Sequence, residues 1–133
     1  MPPHVLTLRV YYEDTDLAGV VYYANHLKFI ERGRSEWVRS LGLDLGELRE
    51  VQGLVFAVRH LEADYLRAAR FDDLLRVETR VLRQSGARMV LAQDILRGGD
   101  KIFAATVTLV CLTVTGRHAR LPAVRAGQAR DRP

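Results

Sequence analysis

Three acidic residues stand close together near the beginning of the chain, Glu13, Asp14 and Asp16, and two small residues follow them at Ala18 and Gly19. Carboxylates serve enzymes as nucleophiles or as general bases that activate water. Glycine permits a tight turn or a close approach of the backbone to a ligand. The residue types alone leave two interpretations open: a catalytic carboxylate in a loop, or an acid that caps a polar turn.

One element is predicted on each side of this acidic loop. Apolar and polar residues alternate over residues 5–12, which is typical of a half-buried strand. Over residues 24–41 the apolar residues recur at spacings of three, four and seven, which predicts an amphipathic helix of about five turns. Asn25 is the expected N-cap, and Gly42 is placed to end the helix in a left-handed conformation. Gly33 lies on the apolar face, where we expect close packing against a sheet to offset its low helix propensity.

Strands are predicted in the rest of the chain over residues 54–65, 74–82, 88–96 and 101–115. Gly98 and Gly99 have the chemistry of a hairpin turn between the last two strands. The last strand is apolar on both faces except for Thr106 and Thr108, so we expect it to be central and covered on both sides. The order of one strand, a long helix and four strands predicts an α+β fold in which an antiparallel five-stranded sheet wraps one long helix.

Length and composition favour a single domain that comprises residues 1–133. A chain of 133 residues with 48% hydrophobic residues is typical of one compact domain. The tail from about residue 117 onward lacks periodicity and is expected to be poorly ordered. A chain this short often needs a partner subunit to complete a deep active site, and one sheet face is left uncovered. We therefore expect a homo-oligomer, with a dimer as its minimal unit and a tetramer as the expected assembly.

The basic residues of the chain are almost all arginine. The formal net charge is +4, and only Lys28 and Lys101 are lysines among the 20 basic residues. Arginine binds phosphate through a planar fork of donors, although codon bias in a GC-rich genome produces the same composition. Because basic and acidic residues are interleaved and no recognised motif is present, binding of nucleic acid is not expected.

Cysteine and histidine usage does not indicate a redox or metal site. Cys111 is the only cysteine and lies in an apolar run, where a buried and inert thiol is expected. His4, His60 and His118 do not have the spacing of metal ligands, so no metal site is predicted. The N-terminus lacks the pattern of a signal peptide, and no apolar stretch reaches the roughly 18 residues of a membrane span. We therefore expect a cytoplasmic protein without a transmembrane segment.

The segment from Tyr11 to Tyr23, which contains Asp-Leu-Ala-Gly-Val at residues 16–20, resembles the signature of the 4-hydroxybenzoyl-CoA thioesterase family. It is particularly similar to the short acyl-CoA thioesterases associated with the Tol–Pal system, and residues 64–73 resemble the segment that leads into the family's third strand. The resemblance covers nearly the whole chain. It implies a hot-dog fold, hydrolysis of an acyl-CoA to free acid and CoA, and no cofactor, since CoA is part of the substrate. Two positions depart from the pattern: Tyr23 replaces the histidine of the Tol–Pal subgroup, and Ala68 replaces a proline.

The resemblance also implies roles for individual residues. Asp16 matches the catalytic carboxylate, which either attacks the thioester or activates water. The backbone N–H of Tyr23 would hydrogen-bond the thioester oxygen, a role that suits the N-terminus of a helix. Gly19, Val20 and Tyr22 are expected to contact the substrate beside them. The candidates for the CoA phosphates are basic residues and backbone donors at predicted strand ends and turns: Arg59, Arg67, Arg70, Arg83, Ser85, Gly86 and Arg88.

Some side chains admit other interpretations. His26 is a candidate base for a hot-dog dehydratase or isomerase that acts on an acyl thioester, or else a first-turn helix residue that faces solvent. Glu13 and Asp14 are interpreted as solvated loop acids or as partners of Arg9. Glu31 either lines the pocket or is exposed. A non-catalytic module that binds acyl carriers is a further alternative, but such a module has no need of a carboxylate beside an oxyanion site.

Overall fold

The computed structural model describes residues 2–122. Its elements in chain order are β1 (His4–Arg9), a 3₁₀ turn (Tyr12–Asp14), α1 (Asn25–Ser40), α2 (Leu45–Glu47), a π-helical turn (Leu48–Gln52), β2 (Leu54–Tyr65), β3 (Leu74–Ser85), β4 (Arg88–Arg97) and β5 (Asp100–Thr113). The strands form one antiparallel sheet in the order β1-β3-β4-β5-β2, and α1 packs against it. The predicted α+β architecture, the hot-dog arrangement of five strands and one long helix, is confirmed.

The start of the chain differs from the prediction at two element boundaries. β1 ends at Arg9 and not at Tyr12, because Val10 N–H donates to the carbonyl of Asp73 and the chain then enters the 3₁₀ turn. The N-cap of α1 is Ala24 and not Asn25. The Asn25 side chain donates its Nδ2 to the carbonyl of Asp14 at 2.9 Å, so it links the helix to the acidic loop instead of capping the helix.

The boundaries of the later elements agree with the prediction to within a few residues. Gly42 has a φ of +85° directly after the last residue of the helix cap, as predicted for the end of α1. β3 continues three residues beyond the predicted end at residue 82, because a bulge between Val81 and Arg83 keeps it paired with β4. β5 ends at Thr113, where a turn brings Gly116 N–H to the Thr113 carbonyl at 2.8 Å.

The last strand is an inner strand but not the central one. β5 lies between β4 and β2, and β4 occupies the middle of the sheet. The reason is topological: β2 precedes β3 in sequence, yet it pairs with the far side of β5 and extends the sheet there. Along β5, Phe103 and Val107 are fully buried, whereas Thr106 and Thr108 are half-buried.

Close packing at Gly33 joins α1 to the sheet, as the sequence predicts. A Cβ atom on Gly33 would lie 2.5 Å from Cγ1 of Val77 on β3, which is too close for any side chain. The helix and sheet are also connected by Gln93, whose buried Nε2 donates to the Ile30 carbonyl at 2.8 Å and to Oγ1 of Thr79 at 2.9 Å. The middle of α1 is therefore held against the sheet at van der Waals distance.

Cys111 is fully buried, as predicted, and burial raises the pKa of its thiol. The tail was expected to be poorly ordered from about residue 117, but its first residues bond back to the domain. Ala119 N–H donates to the Cys111 carbonyl at 2.9 Å, and Leu121 N–H donates to the Gly86 carbonyl at 3.0 Å. Residues 123–133, the rest of the predicted tail, lie outside the described residues. Within residues 2–122, none of the helices has the length and apolar character required to cross a membrane.

Candidate active site

The acidic loop forms a tight hairpin around Asp16. Asp16 N–H donates to the Val20 carbonyl and Gly19 N–H donates to the Asp16 carbonyl, both at 2.9 Å. Oδ1 of Asp16 accepts from Ala18 N–H at 2.9 Å, and Gly19 takes a φ of +82° that favours glycine. Oδ2 of Asp16 accepts no hydrogen bond from residues 2–122. The same carboxylate thus closes the turn with one oxygen and presents the other, so the two sequence interpretations are compatible.

The segment that precedes β3 holds this hairpin in place. Val20 forms a β-bridge with Arg70, and Val21 N–H donates to the Ala69 carbonyl at 2.7 Å. Val21 is buried with only 4% of its surface exposed, so the hairpin has an apolar anchor in the core. The segment before β3 is itself held in place, because Arg97 Nη1 donates to the carbonyl of Ala68 at 2.9 Å.

Asp73 fixes the other end of that segment. Its Oδ2 accepts from Arg70 N–H at 2.9 Å and from Arg97 Nη1 at 2.8 Å. Burial by itself would raise the pKa of Asp73, but the hydrogen bonds from Arg70 and Arg97 outweigh burial and lower this pKa. Asp73 is therefore a carboxylate that orders the support of the Asp16 hairpin.

The other two acids of the loop do not share the role of Asp16. Oδ2 of Asp14 accepts from Tyr11 N–H at 2.8 Å, and its carbonyl accepts from Tyr22 N–H at 3.0 Å. Asp14 is thus a structural residue of the loop, and Glu13 is exposed. Of the two interpretations of these acids, the pairing with Arg9 is wrong. Arg9 Nη1 binds Asp72 instead, at 2.8 Å to its carbonyl and 3.5 Å to Oδ1.

Tyr23 lies two residues before α1 with its backbone N–H available. This N–H donates to no other group in residues 2–122, whereas the next turn is already bonded: Asn25 N–H donates to the Tyr22 carbonyl and His26 N–H to the Tyr23 carbonyl. A free N–H at this end of a helix carries part of the positive end of the helix dipole. The residue Tyr23 as a whole is 62% exposed.

His26 is part of the core and does not face solvent. Only 3% of its surface is exposed, and its ring stacks on Phe103 with 5.2 Å between centroids. Its Nδ1 lies 3.0 Å from the Tyr23 carbonyl, which only accepts, so the proton of the neutral ring is on Nδ1. Burial lowers the pKa of His26, although hydrogen bonds to the Tyr23 and Tyr22 backbone oppose this shift. The expectation of a solvent-facing first-turn residue is wrong, and His26 is a neutral ring under the helix start.

Tyr65 completes the site and was not assigned a role from the sequence. Its hydroxyl donates to the Tyr23 carbonyl at 2.9 Å, and its ring lies edge-on to His26 at 5.0 Å. Burial and the neighbouring Tyr23 raise the pKa of Tyr65, so the hydroxyl stays protonated and remains a donor. Tyr65 is the last residue of β2, and only the tertiary pairing of β2 with β5 places it beside Tyr23. No local sequence signal indicates this contact.

The structure places the proposed phosphate-binding residues in three regions. Arg67 and Arg70 belong to the segment beside the Asp16 hairpin, and Arg70 pairs directly with Val20. Arg59 lies at the bulge in the middle of β2. The remaining candidates are exposed at the β3–β4 turn, about 35 Å along β3 from the segment that holds the hairpin: Arg83, Ser85, Gly86 and Arg88. One chain therefore brings Gly19, Val20, Tyr22 and Arg70 close to Asp16 and Tyr23, but not the β3–β4 turn. Arg67 lies three residues before Arg70, and its N–H donates to the Ile102 carbonyl at 3.1 Å.

A separate cavity of about 420 Å³ opens between α1, the π-helical turn and β2. We call it the α1–β2 cavity. Glu31 is exposed, as one of its two interpretations has it, and it lines this separate cavity. Neither Asp16 nor Tyr23 contributes to its walls. Among residues 2–122, no group of three or more histidine, cysteine, aspartate or glutamate side chains is arranged to hold a metal ion.

Comparison with known proteins reveals close relatives. Residues 18–104 match the thioesterase superfamily. Over 105 residues the chain is 46% identical to the acyl-CoA thioesterase YbgC of Haemophilus influenzae, which covers 79% of this chain and 77% of that protein. It is 36% identical over 106 residues to the acyl-CoA thioester hydrolase YbgC of Escherichia coli O6:H1, and the aligned region covers 79% of this chain and 78% of that protein. The crystal structure of a probable thioesterase from Bartonella henselae matches with a TM-score of 0.87 at 42% identity, over 90% of this chain and 99% of that one.

Proposed function

Because the chain belongs to the thioesterase superfamily and is an acyl-CoA thioesterase, we propose that Asp16 is its catalytic carboxylate and that Tyr23 N–H binds the thioester oxygen. One observation carries this proposal. A carboxylate oxygen and an N–H group, neither of them hydrogen-bonded within residues 2–122, come from a single short segment that ordered backbone bonds hold rigid. Ester-type hydrolysis needs both groups at once, since the attacking oxygen and the developing oxyanion lie on the same carbon.

In the proposed reaction the thioester carbonyl oxygen accepts a hydrogen bond from Tyr23 N–H. Attack on the carbonyl carbon then produces a tetrahedral intermediate whose negative oxygen stays on this donor, where the helix dipole stabilises it. Collapse of the intermediate breaks the carbon–sulfur bond and releases CoA thiolate. Tyr65, through its hydrogen bond to the Tyr23 carbonyl, keeps the orientation of the donor residue fixed.

Asp16 has two chemical routes to the same products. If Oδ2 attacks directly, the acyl group passes to Asp16 as a mixed anhydride, and water hydrolyses it in a second step. If Asp16 acts as a base, it removes a proton from water as the water attacks the thioester. Rapid quenching into acid followed by mass spectrometry separates the routes, because only the first leaves an acyl adduct on the Asp16 peptide.

We further propose that the enzyme functions as a homodimer, with a tetramer as the larger assembly. β2 is an edge strand of the sheet, so its outer backbone groups are available for pairing. The Asp16 hairpin is exposed in the single chain, and the β3–β4 turn is too distant to reach it. A second chain that supplies Arg83, Ser85, Gly86 and Arg88 would bring more cationic and backbone donors to the CoA phosphates. Independence from a cofactor, a cytoplasmic location and a connection with the Tol–Pal system remain predictions.

The Asp16→Asn variant tests the proposal. It preserves the size of the side chain and can still accept from Ala18 N–H, but it removes the negative charge. We expect kcat for acyl-CoA hydrolysis to fall by about two orders of magnitude or more, while binding of CoA and thermal stability stay close to those of the wild type. Release of free thiol provides the rate.

Glu13→Gln is the matched control, since Glu13 is the exposed acid of the same loop. It should retain the activity of the wild type. Full activity of Asp16→Asn would refute the proposed role of Asp16. Equal losses in both variants would indicate a general effect of negative charge near the loop.

A further inference from the structure

Arg34 is a half-buried cation on α1 that forms no ion pair within 4 Å among residues 2–122, although Glu31 is near enough to oppose the lowering of its pKa by burial. Its Nη1 donates to Oε1 of Gln93 at 2.8 Å. A guanidinium carries five N–H donors, and arginine is rarely removed from water without an anion beside it. Apart from the bond to Gln93, the donors of Arg34 bind no acceptor within residues 2–122, so they are available to an anion that enters from solvent.

Arg34 lines the α1–β2 cavity, and the balance of charge there is positive. The other ionisable side chains in its walls are Glu31 and Arg49. Glu31 already accepts a hydrogen bond from Oγ of Ser35 at 2.6 Å, and Arg49 forms an exposed ion pair with Glu50 at 3.1 Å. Exposed pairs of this kind are weak, so Arg49 remains able to attract an anion. The cavity thus presents two guanidinium groups and one carboxylate.

The rest of the cavity is apolar, which suits a hydrocarbon chain. Its apolar walls come from α1, β2 and β5 and include Val38, Val55, Phe56, Val58 and Leu109. The π-helical turn Leu48–Gln52 forms another part of the rim through Arg49. An apolar cavity with a few convergent polar groups is the usual form of a site for a small organic ligand.

The helical period connects this cavity with the proposed catalytic site. Leu27, Glu31, Arg34 and Val38 follow one another at spacings of four, three and four, so they lie along one stripe of α1, and Tyr23 precedes Leu27 by four residues just before the helix. The separation of Tyr23 and Arg34 along the axis is about 16 Å at 1.5 Å per residue. Side chains on a helix lean towards its N-terminus, which brings the guanidinium nearer to Tyr23.

β2 also reaches both the proposed catalytic site and the α1–β2 cavity. Its residue Tyr65 binds the Tyr23 carbonyl, and Phe56 near its other end lines the α1–β2 cavity. One strand thus contributes a residue to each place, Tyr65 beside Tyr23 and Phe56 in the cavity wall. A linear acyl group whose thioester lies at Tyr23 N–H would extend past Leu27 and Glu31 to reach Arg34.

We infer that the α1–β2 cavity binds the far end of the acyl group and that Arg34 selects a carboxylate there. The substrate class is then the CoA monothioesters of dicarboxylic acids. This inference rests on the proposed function for the position of the thioester, and the geometry of Arg34 supplies the specificity. Arg34 would be a binding residue with no part in the chemical step.

Pairs of substrates that differ only in their terminal group test the inference. Hydrolysis is measured for ω-carboxyacyl-CoAs from succinyl-CoA to sebacoyl-CoA and for methyl-terminated acyl-CoAs of equal length, together with an ω-hydroxyacyl-CoA at the best length. At that length we expect kcat/KM of the wild type to be at least about tenfold higher for the carboxylate than for the methyl group. A preference for the methyl or hydroxyl terminus at every length would overturn the inference.

Substitution of Arg34 assigns the preference to this side chain. In Arg34→Gln the ratio of the two kcat/KM values should fall to about one, and Arg34→Lys should retain part of the preference through its charge. The ratio is measured within one preparation, so a partly inactive sample does not alter it. Arg39→Gln is the control, because Arg39 is an exposed residue of the same helix paired with Glu36 outside the cavity, and it should leave the ratio unchanged.

The outcomes for the two proposals remain separable. An unchanged ratio in Arg34→Gln would overturn the role of Arg34 even if Asp16→Asn is inactive. If Arg34→Gln does not fold, the wild-type series and Arg34→Lys still decide whether Arg34 selects a terminal carboxylate. Conversely, full activity of Asp16→Asn would overturn the catalytic assignment without affecting a preference for carboxylates measured in the wild type.

Discussion

The N-terminal end of α1 and its middle are built by different kinds of contact. At the N-terminal end, the hairpin around Asp16 is closed by backbone bonds between near neighbours, such as Asp16 N–H to the Val20 carbonyl. In the middle, Arg34 and Gln93 join helix and sheet through side chains that are 59 residues apart in sequence. The turn around Asp16 is exposed and closed by local bonds, although Ala69 and Arg70 anchor the residues that follow it, whereas the second region is more buried and depends on the complete fold. We therefore expect a packing change at Gly33 to alter mainly stability and the loss of the Tyr65 hydroxyl to alter mainly catalysis.

The largest expected effect that separates the regions comes from Gly33→Ala. The added Cβ would lie 2.5 Å from Cγ1 of Val77, so the helix and sheet must move apart. Overpacking of this kind costs about 1–3 kcal/mol, and the better helix propensity of alanine returns about 1 kcal/mol. We expect a net loss of up to about 2 kcal/mol in the free energy of unfolding by urea, with kcat for the remaining folded enzyme nearly unchanged.

Gly99→Ala is the control for this loss, because a Cβ on Gly99 would meet no atom within 4 Å. Its free energy of unfolding should differ from that of the wild type by less than about 0.5 kcal/mol. A variant Gly33→Ala as stable as the wild type would show that the contact between α1 and β3 is looser than its geometry indicates. A large loss of kcat in the folded fraction would contradict the independence of the two regions.

We expect an intermediate effect from Tyr65→Phe, which acts at the N-terminal end of α1. The change removes the hydroxyl that donates to the Tyr23 carbonyl at 2.9 Å and leaves the ring in place. A hydrogen bond of this type contributes about 1 kcal/mol, so kcat should fall roughly fivefold while KM changes little. The variant measures how far the orientation of Tyr23 matters for its N–H.

Tyr12→Phe is a suitable control because Tyr12 is 84% exposed and belongs to the same loop region. It should retain the kcat of the wild type. An equal fall of kcat in both variants would assign the effect to the general loss of a hydroxyl. Full activity of Tyr65→Phe would show that the α1 backbone alone positions the donor.

The difference between local contacts and contacts distant in sequence explains which features the sequence predicts and which it does not. The order of elements, the helix end at Gly42 and the close packing of Gly33 follow from periodicity and from local propensities. The Asp16 hairpin is also recognisable, since all of its parts stand within a few residues. The N-cap was misplaced because Asn25 has a tertiary partner, the Asp14 carbonyl, that outcompetes its local role.

The contacts missed by sequence reasoning all join residues that are distant along the chain. Tyr65 reaches Tyr23 across 42 residues, and Arg34 reaches Gln93 only when α1 lies on the sheet. The arginines of the β3–β4 turn are recognisable as basic residues near a turn, but the length of β3 separates them from Asp16 within one chain. Spacing along a sequence specifies periodic faces, whereas a cavity depends on which faces meet.

The smallest expected effect is on the pH dependence of stability and comes from His26. Its ring contacts the Tyr23 carbonyl and stacks on Phe103 of β5. Burial lowers the pKa of His26 from its ordinary value of 6.5, so the unfolded chain binds a proton near that pH while the folded chain does not. The folded state therefore keeps its full stability above about pH 6.5 and loses it progressively as the pH falls below that value. His4 has a pKa lowered by burial, opposed by Glu36, and contributes in the same direction.

We expect His26→Phe, measured by urea unfolding at pH 7, 6 and 5, to lose part of the acid sensitivity of the wild type, by about 1 kcal/mol or less over this range. The phenyl ring can keep the stacking on Phe103, and the remaining slope reports His4 together with the carboxylates. His60→Gln changes an exposed histidine and should keep the slope of the wild type. If His26→Phe is as acid-sensitive as the wild type, the His26 ring accepts a proton in the folded state. The start of α1 would then be open to solvent beneath Tyr23, and the rigid donor geometry inferred for the thioester oxygen would need an additional support.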